Sequence, residues 1–322
     1  PISHRRAPLL RQPAAMPSST IAIVAPCFNE GEVAVRFLQE LEGVLAALPY
    51  DFAVVMVDDG STDGTAARLG AYAPAAPNVR LHALALPCNL GHQAAIHQGL
   101  LFAAGLPADR FIVMDSDGED DPAALAELLS LQDCAIAFVG RGRRSESIGF
   151  RLGYLGYRAL FRVVVGRGIS FGNYSIIDRR ALDAVLLRSF THYAAFLSRL
   201  KLPQRVIVRD RRPRIDGRSR MGWRSLSMHA FGSLVEYSEE VLAFMLRAFV
   251  ALAVVLLLSV LAIVGIRLFT GLAIPGWASV LSASLFNGML LCLGFFAIGL
   301  LLVNAARRRE PLGRIYTVLS RP

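Results

Sequence analysis

Lysine is almost missing from this 322-residue chain. Lys201 is the single lysine among 34 basic residues, so the formal net charge of +9 rests on arginine. That bias is a habit of the whole sequence, and it weakens any argument that one arginine was selected over lysine for its fork geometry. The phosphate-binding glycine signatures are also missing: neither G-x-G-x-x-G nor G-x-x-x-x-G-K-[ST] occurs. This argues against a dinucleotide-binding Rossmann domain and against a P-loop NTPase. Four cysteines, Cys27, Cys88, Cys134 and Cys292, lack paired metal-ligand spacing, so neither zinc nor a disulfide is expected. The N-terminal PISHRRAPLLRQPAAMPSST has no apolar core long enough for a signal peptide and reads as a mobile leader.

Charge is what the C-terminal runs lack. AFVALAVVLLLSVLAIVGI, from Ala248 to Ile266, is nineteen residues without a charge, and a second uncharged run extends from Leu268 to Ala306. Each is long enough to cross about 30 Å of hydrocarbon at roughly 1.5 Å per residue. With 54% hydrophobic residues and a mean hydropathy of +0.46, the chain is too apolar for one ordinary soluble domain. Two membrane helices are expected, with Pro275, Gly276 and Trp277 at the turn between them. A pair of buried helices in a soluble core is the alternative, and the arginines closing both runs count against it. Arg307, Arg308, Arg309 and Arg314 follow the second run, whereas the connecting loop holds Arg267 alone. The positive-inside rule then predicts a multi-pass protein of the cytoplasmic (inner) membrane with both termini and the N-terminal domain in the cytoplasm.

Between residues 20 and 140, β-branched runs alternate with amphipathic patterns. TIAIVA precedes a helix over roughly 32–47, FAVVMV one over 62–72, VRLHALA one over 92–105, and RFIVM one over 122–130, before AIAFVG. Near-continuous apolar strands separated by helices predict an α/β domain with a mostly parallel sheet covered on both faces. FGNYSIID and LPQRVIVRD read as further strands, and FRLGYLGYRALFRVVVG as an amphipathic helix. The expected division is a leader over 1–19, the α/β domain over 20–225, an amphipathic juxtamembrane helix over 226–246, a two-helix transmembrane hairpin over 247–306, and a basic tail over 307–322.

Ligands of such sheets bind beyond the carboxyl ends of the strands, and the polar clusters lie there: FNE, DDGSTDGT, NLGHQ and DSDGED. MDSDGEDDP packs five carboxylates into the seven positions from Asp115 to Asp121. One reading is a solvated loop with Asp120 or Asp121 capping a helix that begins at Pro122. The other is a metal site: on an extended segment, residues i and i+2 share a side, so Asp115 and Asp117 can converge on Mg²⁺ or Mn²⁺ whose remaining ligands are waters and phosphate. In VDDGSTDGT, Asp63 reads as a turn or cap residue, while a carboxylate at a nucleotide pocket can accept the imide N–H of uracil.

Taken in order, PCFNE, VDDGSTDGT, NLGHQAAI, MDSDGEDDP, FGNYS and RPRIDGRSRM, ahead of two apolar runs, resemble the family 2 glycosyltransferases with the GT-A fold. Within them the chain is similar to the polyprenyl-phosphate glycosyltransferases, the group containing dolichyl-phosphate mannose synthases, over roughly residues 20 to 240. The resemblance implies that Pro26, Phe28, Glu30, Val57 and Asp59 line the base and ribose pocket. It makes Asp115, Ser116 and Asp117 the metal and diphosphate loop, with Glu119 beside them, and places Arg141 as the basic residue after the next strand. Arg211, Arg214, Gly217 and Ser219 match the signature Arg-x-x-Arg-x-x-Gly-x-Ser-Lys, whose lysine is Arg220 here.

Eight arginines lie between Arg205 and Arg224 against Asp210 and Asp216. Adhesion to anionic headgroups explains such a stretch at about 1 kcal/mol per charge; a clamp by Arg211, Arg214 and Arg220 on acceptor phosphate and leaving diphosphate is the functional reading. Nucleic acid is not expected, because no aromatic stacking platform accompanies the charge. Asn173 departs from relatives that carry aspartate there as a candidate base. A polyprenyl phosphate is already anionic and needs no base, whereas a hydroxyl acceptor would, with His92 and His192 the titratable candidates. The expected activity is inverting, metal-dependent transfer from a nucleotide sugar, taken as a UDP-sugar, to a polyprenyl phosphate such as undecaprenyl phosphate. The alternatives are a membrane glycosyltransferase with a hydroxyl lipid or glycan acceptor, and a silent nucleotide-sugar sensor. Relatives can be homo-oligomers, and the sequence shows no subunit contact.

Overall fold

The computed structural model describes residues 20–141, 161–166, 171–188, 190–210, 212–215, 235–270, 276–307 and 313–319; the expected leader lies outside them. The strands are β1 (Thr20–Cys27), β2 (Asp51–Asp58), β3 (Val79–Ala85), β4 (Ala108–Val113), β5 (Ile136–Arg141), β6 (Phe171–Asp178), β7 (Gln204–Arg209) and β8 (Thr317–Val318). Helices α1 (Gly31–Leu45), α2 (Thr65–Ala71), α3 (His92–Ala103), α4 (Ala124–Ser130), α5 (Arg179–Leu186) and α6 (Tyr193–Arg199) cover the sheet, and α7 (Ser238–Phe269) and α8 (Trp277–Arg307) form a long hairpin.

The strand order is β7-β5-β6-β4-β1-β2-β3-β8. β1 runs parallel to β2 and β4, β2 to β3 and β5 to β7, while β6 and β8 are antiparallel to their neighbours. Strand periodicity sorts the core into two layers. Ile21, Ile23 and Ala25 of β1 face α1 and α4 through Phe37, Leu41 and Leu125; Ala22 and Val24 face α3 and α6 through Ile96, Leu100 and Tyr193. β1 is therefore buried on both sides, which is why its sequence is apolar without alternation. Close approach of α3 to the sheet requires Gly99, where an added Cβ would lie 2.4 Å from Val24 Cγ1.

The chain lays down β1, β2 and β3 in one direction and returns to the other side of β1 for β4. The β1/β4 boundary is therefore the topological switch point, where the connections leave in opposite directions and open a crevice. PCFNE follows one of these strands and MDSDG the other.

α4 starts at Ala124 with Ala123 as its N-cap and no side-chain cap, two residues later than the helix expected from Pro122. Asp121 Oδ1 accepts from Ala123 N–H in a local turn, and Asp120 is drawn elsewhere. α7 and α8 are each long and apolar enough to cross a membrane. They pack antiparallel, Gly288 beside Leu252 and Gly299 beside Leu242, the small residues allowing close contact. α7 runs without a break from Ser238 through the 246/247 boundary; residues 226–234 lie outside the described ones. Arg199 of α6 holds the start of α7, pairing with Glu239 at 3.1 Å and Glu240 at 3.5 Å.

The return of the C-terminal tail to the sheet has no counterpart in the sequence reading. β8 pairs antiparallel with β3, Leu319 N–H donates to Ala83 O at 2.8 Å, and Tyr316 sits edge-on to Phe102. Gln98, fully buried in α3, donates to Gly313 O at 2.9 Å and accepts from Ile315 N–H at 3.1 Å. The helical hairpin is thus tied to the α/β domain at both ends, through α6 at its start and through the tail that pairs with β3 after it.

Candidate active site

Two turns meet at the β1/β4 switch point and are stitched together by one serine. The Ser116 hydroxyl lies 2.7 Å from Pro26 O and 2.5 Å from Glu30 Oε2. A hydroxyl has one proton, so it donates to one of these and accepts from the other. Glu30 supplies that proton when neutral: burial, with added repulsion from Asp117 and Asp115, pushes its carboxyl up to about 7 against the Ser116 bond. Ser116 is itself buried, so it braces the loop rather than presenting its hydroxyl to a diphosphate.

The acid loop is a turn and not the extended segment assumed from the i, i+2 spacing. β4 ends at Val113 and the chain turns at Gly118, whose φ of +83° is left-handed. Glu119 N–H donates to Asp117 Oδ1 at 2.9 Å, and Asp115 N–H to Asp120 Oδ2 at 2.8 Å. Asp120 therefore secures the loop, which corrects its expected role as a helix cap. Asp115 and Asp117 still meet: Asp117 is raised above the ordinary carboxylate range by burial and then by Asp115.

Opposite the acids lies the segment 212–215. Ile215 N–H donates to Asp117 O at 3.1 Å and Arg212 N–H to Glu119 O at 3.3 Å, while the Arg212 side chain pairs with Glu40 and lies 3.6 Å from Asp121. Contact is so close that a Cβ on Gly118 would fall 2.5 Å from Ile215 Cγ1. Arg214 reaches into the acids, Nη2 3.2 Å from Asp117 Oδ2 and Nε 2.9 Å from Glu119 Oε1. Burial opposes its charge, and these acids more than compensate, raising its pKa.

His92, at the start of α3, joins the same site. Its Nε2 lies 3.2 Å from Asp115 Oδ1 and 3.0 Å from the Asn173 side-chain amide of β6. Burial disfavours imidazolium, but Asp115 outweighs it and holds the pKa above its usual range. With Nε2 protonated toward Asp115, Asn173 is satisfied by turning its amide so that Oδ1, otherwise without a hydrogen-bond partner among the described residues, faces the ring. His92, the candidate base for a hydroxyl acceptor, thus sits beside Asp115, a proximity that 23 positions of sequence conceal.

At the carboxyl end of β2, Asp63 takes its expected turn role, accepting from Thr65 N–H at 3.0 Å. Asn29, in the left-handed region at φ +52°, links the two turns: its N–H donates to Ser61 Oγ and its Oδ1 accepts from Thr62 N–H. Phe28 is 39% exposed at the rim, as a stacking residue must be. Two expectations change. Val57 is fully buried against α3, so its side chain belongs to the core and not to a base pocket. Asp59 is buried, with both oxygens accepting from the backbone, from Leu90 N–H at 2.8 Å and Gly91 N–H at 3.0 Å; it shapes the turn into α3. Asp58, like Asp63 a turn or cap residue by its sequence, is buried; Oδ2 accepts from Ser61 N–H, and Oδ1 has no hydrogen-bond partner among the described residues. Arg211, Gly217, Ser219 and Arg220 lie outside the described residues, and of Arg141 only the backbone is described, paired with Arg209.

Asp115 and Asp117 suit a hard divalent cation, being crowded, partly buried carboxylates; burial and the neighbouring Asp115 raise the pKa of Asp117, a repulsion that such a charge would relieve. A mixed, mostly parallel sheet with such an acid loop at its switch point, braced by a basic strap, is the architecture of a GT-A glycosyltransferase. The family model for glycosyl transferase family 2 matches residues 22–190, and the chain belongs to that family.

Its relatives agree on the class of activity. The chain is 28% identical, over 94% of its length and 89% of the other, to the uncharacterized glycosyltransferase YkoT of Bacillus subtilis. It is 26% identical to an undecaprenyl-phosphate 4-deoxy-4-formamido-L-arabinose transferase of Klebsiella pneumoniae, over 53% of this chain and 52% of that protein. Among solved structures, glucosyl-3-phosphoglycerate synthase from Mycobacterium tuberculosis, in complex with Mn²⁺, UDP and glucosyl-3-phosphoglycerate, aligns at a TM-score of 0.48 and 19% identity, over 69% of this chain and 80% of that one.

Proposed function

We propose that this glycosyltransferase moves a sugar, with inversion, from a UDP-sugar to a polyprenyl phosphate at the cytoplasmic face of the membrane. The observation that carries the reading is the facing of Arg214 and the Asp115/Asp117 pair across the switch-point crevice: a basic group and a cation site meet where two phosphates would have to meet. The similarity to an undecaprenyl-phosphate transferase supports the acceptor, and the apolar hairpin supplies access to lipid. Because the start of α7 is tied to α6 and the tail after α8 pairs with β3, the domain and the tail share one side, in keeping with the arginines that follow α8.

Asp115 and Asp117 would hold Mg²⁺ or Mn²⁺, which when bound neutralises charge developing on the leaving diphosphate. Glu119 holds Arg214 at the acid loop by a charge-assisted hydrogen bond, and Arg214, with Arg211 and Arg220, would bind the leaving diphosphate and the acceptor phosphate. Phe28, exposed at the rim, offers its ring to the base. A phosphate oxygen is anionic at neutral pH, so Asn173 in place of an acid is tolerable.

One observation favours a second reading with a hydroxyl acceptor. His92 beside Asp115 has the geometry of an oriented general base, which a phosphate acceptor does not need. Labelled UDP-sugars, Mg²⁺ or Mn²⁺, and either undecaprenyl phosphate or lipid alcohols separate the two. Transfer to the phosphate supports the proposal, and transfer confined to the alcohols refutes it.

A further inference from the structure

Arg214 is assigned above to a substrate phosphate, yet its guanidinium is bound to acids of its own chain. It contacts Asp117 at 3.2 Å and Glu119 at 2.9 Å. The other oxygen of Asp117 already accepts from Glu119 N–H, so the oxygen facing Arg214 is the one with which Asp117 would meet a metal. Arginine and a divalent cation therefore compete for one carboxylate.

The strap that carries Arg214 does not depend on that ion pair. Backbone bonds from Arg212 and Ile215, the fit of Ile215 on Gly118, and the Arg212 side chain on Glu40 fix it to the loop. The Arg214 side chain is 21% exposed, so it can leave the acids by rotation alone, without lifting the strap. A crowded acid site needs a positive charge, and the strap provides one.

We propose that Arg214 is the resident counter-ion of the acid loop, exchanged for the divalent cation when the donor diphosphate arrives, the released guanidinium then binding phosphate oxygen. This rests on the metal-and-diphosphate reading of the site. Its consequence is coupling: metal alone must expel Arg214 into solvent, whereas metal arriving with a diphosphate gives the guanidinium a new partner. Each ligand then tightens the other's binding. The same exchange keeps the site closed to free metal until a donor is present.

The test is Mn²⁺ binding to the full-length protein in detergent, read from the electron paramagnetic resonance of free Mn²⁺, with and without UDP and against a protein-free UDP blank. Arg214→Gln should bind Mn²⁺ alone about tenfold more tightly than the wild type, the loss of one charge-assisted competitor, and UDP should enhance its Mn²⁺ binding less. Arg214→Lys, which retains the charge, should stay near the wild type. If Arg214→Gln, with an unchanged melting temperature, binds Mn²⁺ alone no more tightly, or if UDP enhances binding equally in both proteins, the exchange is refuted. Failure of all of them to bind Mn²⁺ with UDP overturns it together with the metal reading. An intact exchange without transfer to lipid phosphate supports it while removing only the proposed acceptor.

Discussion

Replacing Glu30 by glutamine isolates the electrostatic cost of the site. Glu30 has a folded pKa of about 7 against 4.5 for the free side chain, chiefly through burial and then through the neighbouring acids. The folded state holds the proton more tightly than the unfolded one. Stability from this group is therefore complete below the unfolded value and is lost as the pH rises through the folded one. At about 1.36 kcal/mol per unit the whole shift is worth about 3 kcal/mol, of which about 2 kcal/mol falls between about pH 5.5 and about pH 8. Glutamine has the shape of the neutral acid and can still meet the Ser116 hydroxyl, so the variant should lose the pH dependence and keep the fold. Thermal unfolding in detergent with a chelator present measures it. The wild type should fall relative to Glu30→Gln by roughly 4–8 °C between those pH values, at ~2–4 °C per kcal/mol for a domain of this size. Parallel pH profiles for the two proteins would refute the reasoning.

Three further outcomes are expected. Asp117→Ala should abolish sugar transfer, a loss of at least about 100-fold for a group that organises transition-state charge, while expression and membrane insertion persist; wild-type turnover in that variant removes the metal proposal. Gly118→Ala meets both a left-handed φ and Ile215 at 2.5 Å, so it should displace the strap, cost about 1–3 kcal/mol, and depress transfer more than nucleotide binding, as kinetics and UDP titration would show. Gln98→Ala orphans the Gly313 carbonyl and the Ile315 N–H at about 1–3 kcal/mol; proteolysis at the C-terminal tail should accelerate, and an unchanged cleavage rate argues that the tail is held by other means.

The fold class was legible because strands buried on both faces, such as TIAIVA and FAVVMV, have to be continuously apolar, and because acids gather where such strands end. Asp115, Asp117 and Arg214 could be named from local chemistry and from the ordered motifs. Val57 was misjudged for the opposite reason: proximity to the polar turn said nothing about which face of β2 its side chain occupies. Asp59 and Asp120 looked available in sequence, but Leu90 and Gly91 N–H groups engage both oxygens of Asp59, and Asp115 N–H engages Asp120 Oδ2. His92, Asn173 and Asp115 meet only because β6 inserts antiparallel beside β4 and α3 starts beyond β3.

The sequence by itself determined what can be encoded locally: an α/β sheet with acidic strand ends, two helices long enough for a bilayer, and a basic strap. Periodicity, run length and charge are properties of neighbouring residues. Tertiary structure alone decided which acids accept from the backbone, that Arg214 pairs with Asp117, and that the chain returns from the apolar hairpin to Gln98. Each of those depends on groups tens to hundreds of residues apart, and only the strand order brings them within hydrogen-bonding distance.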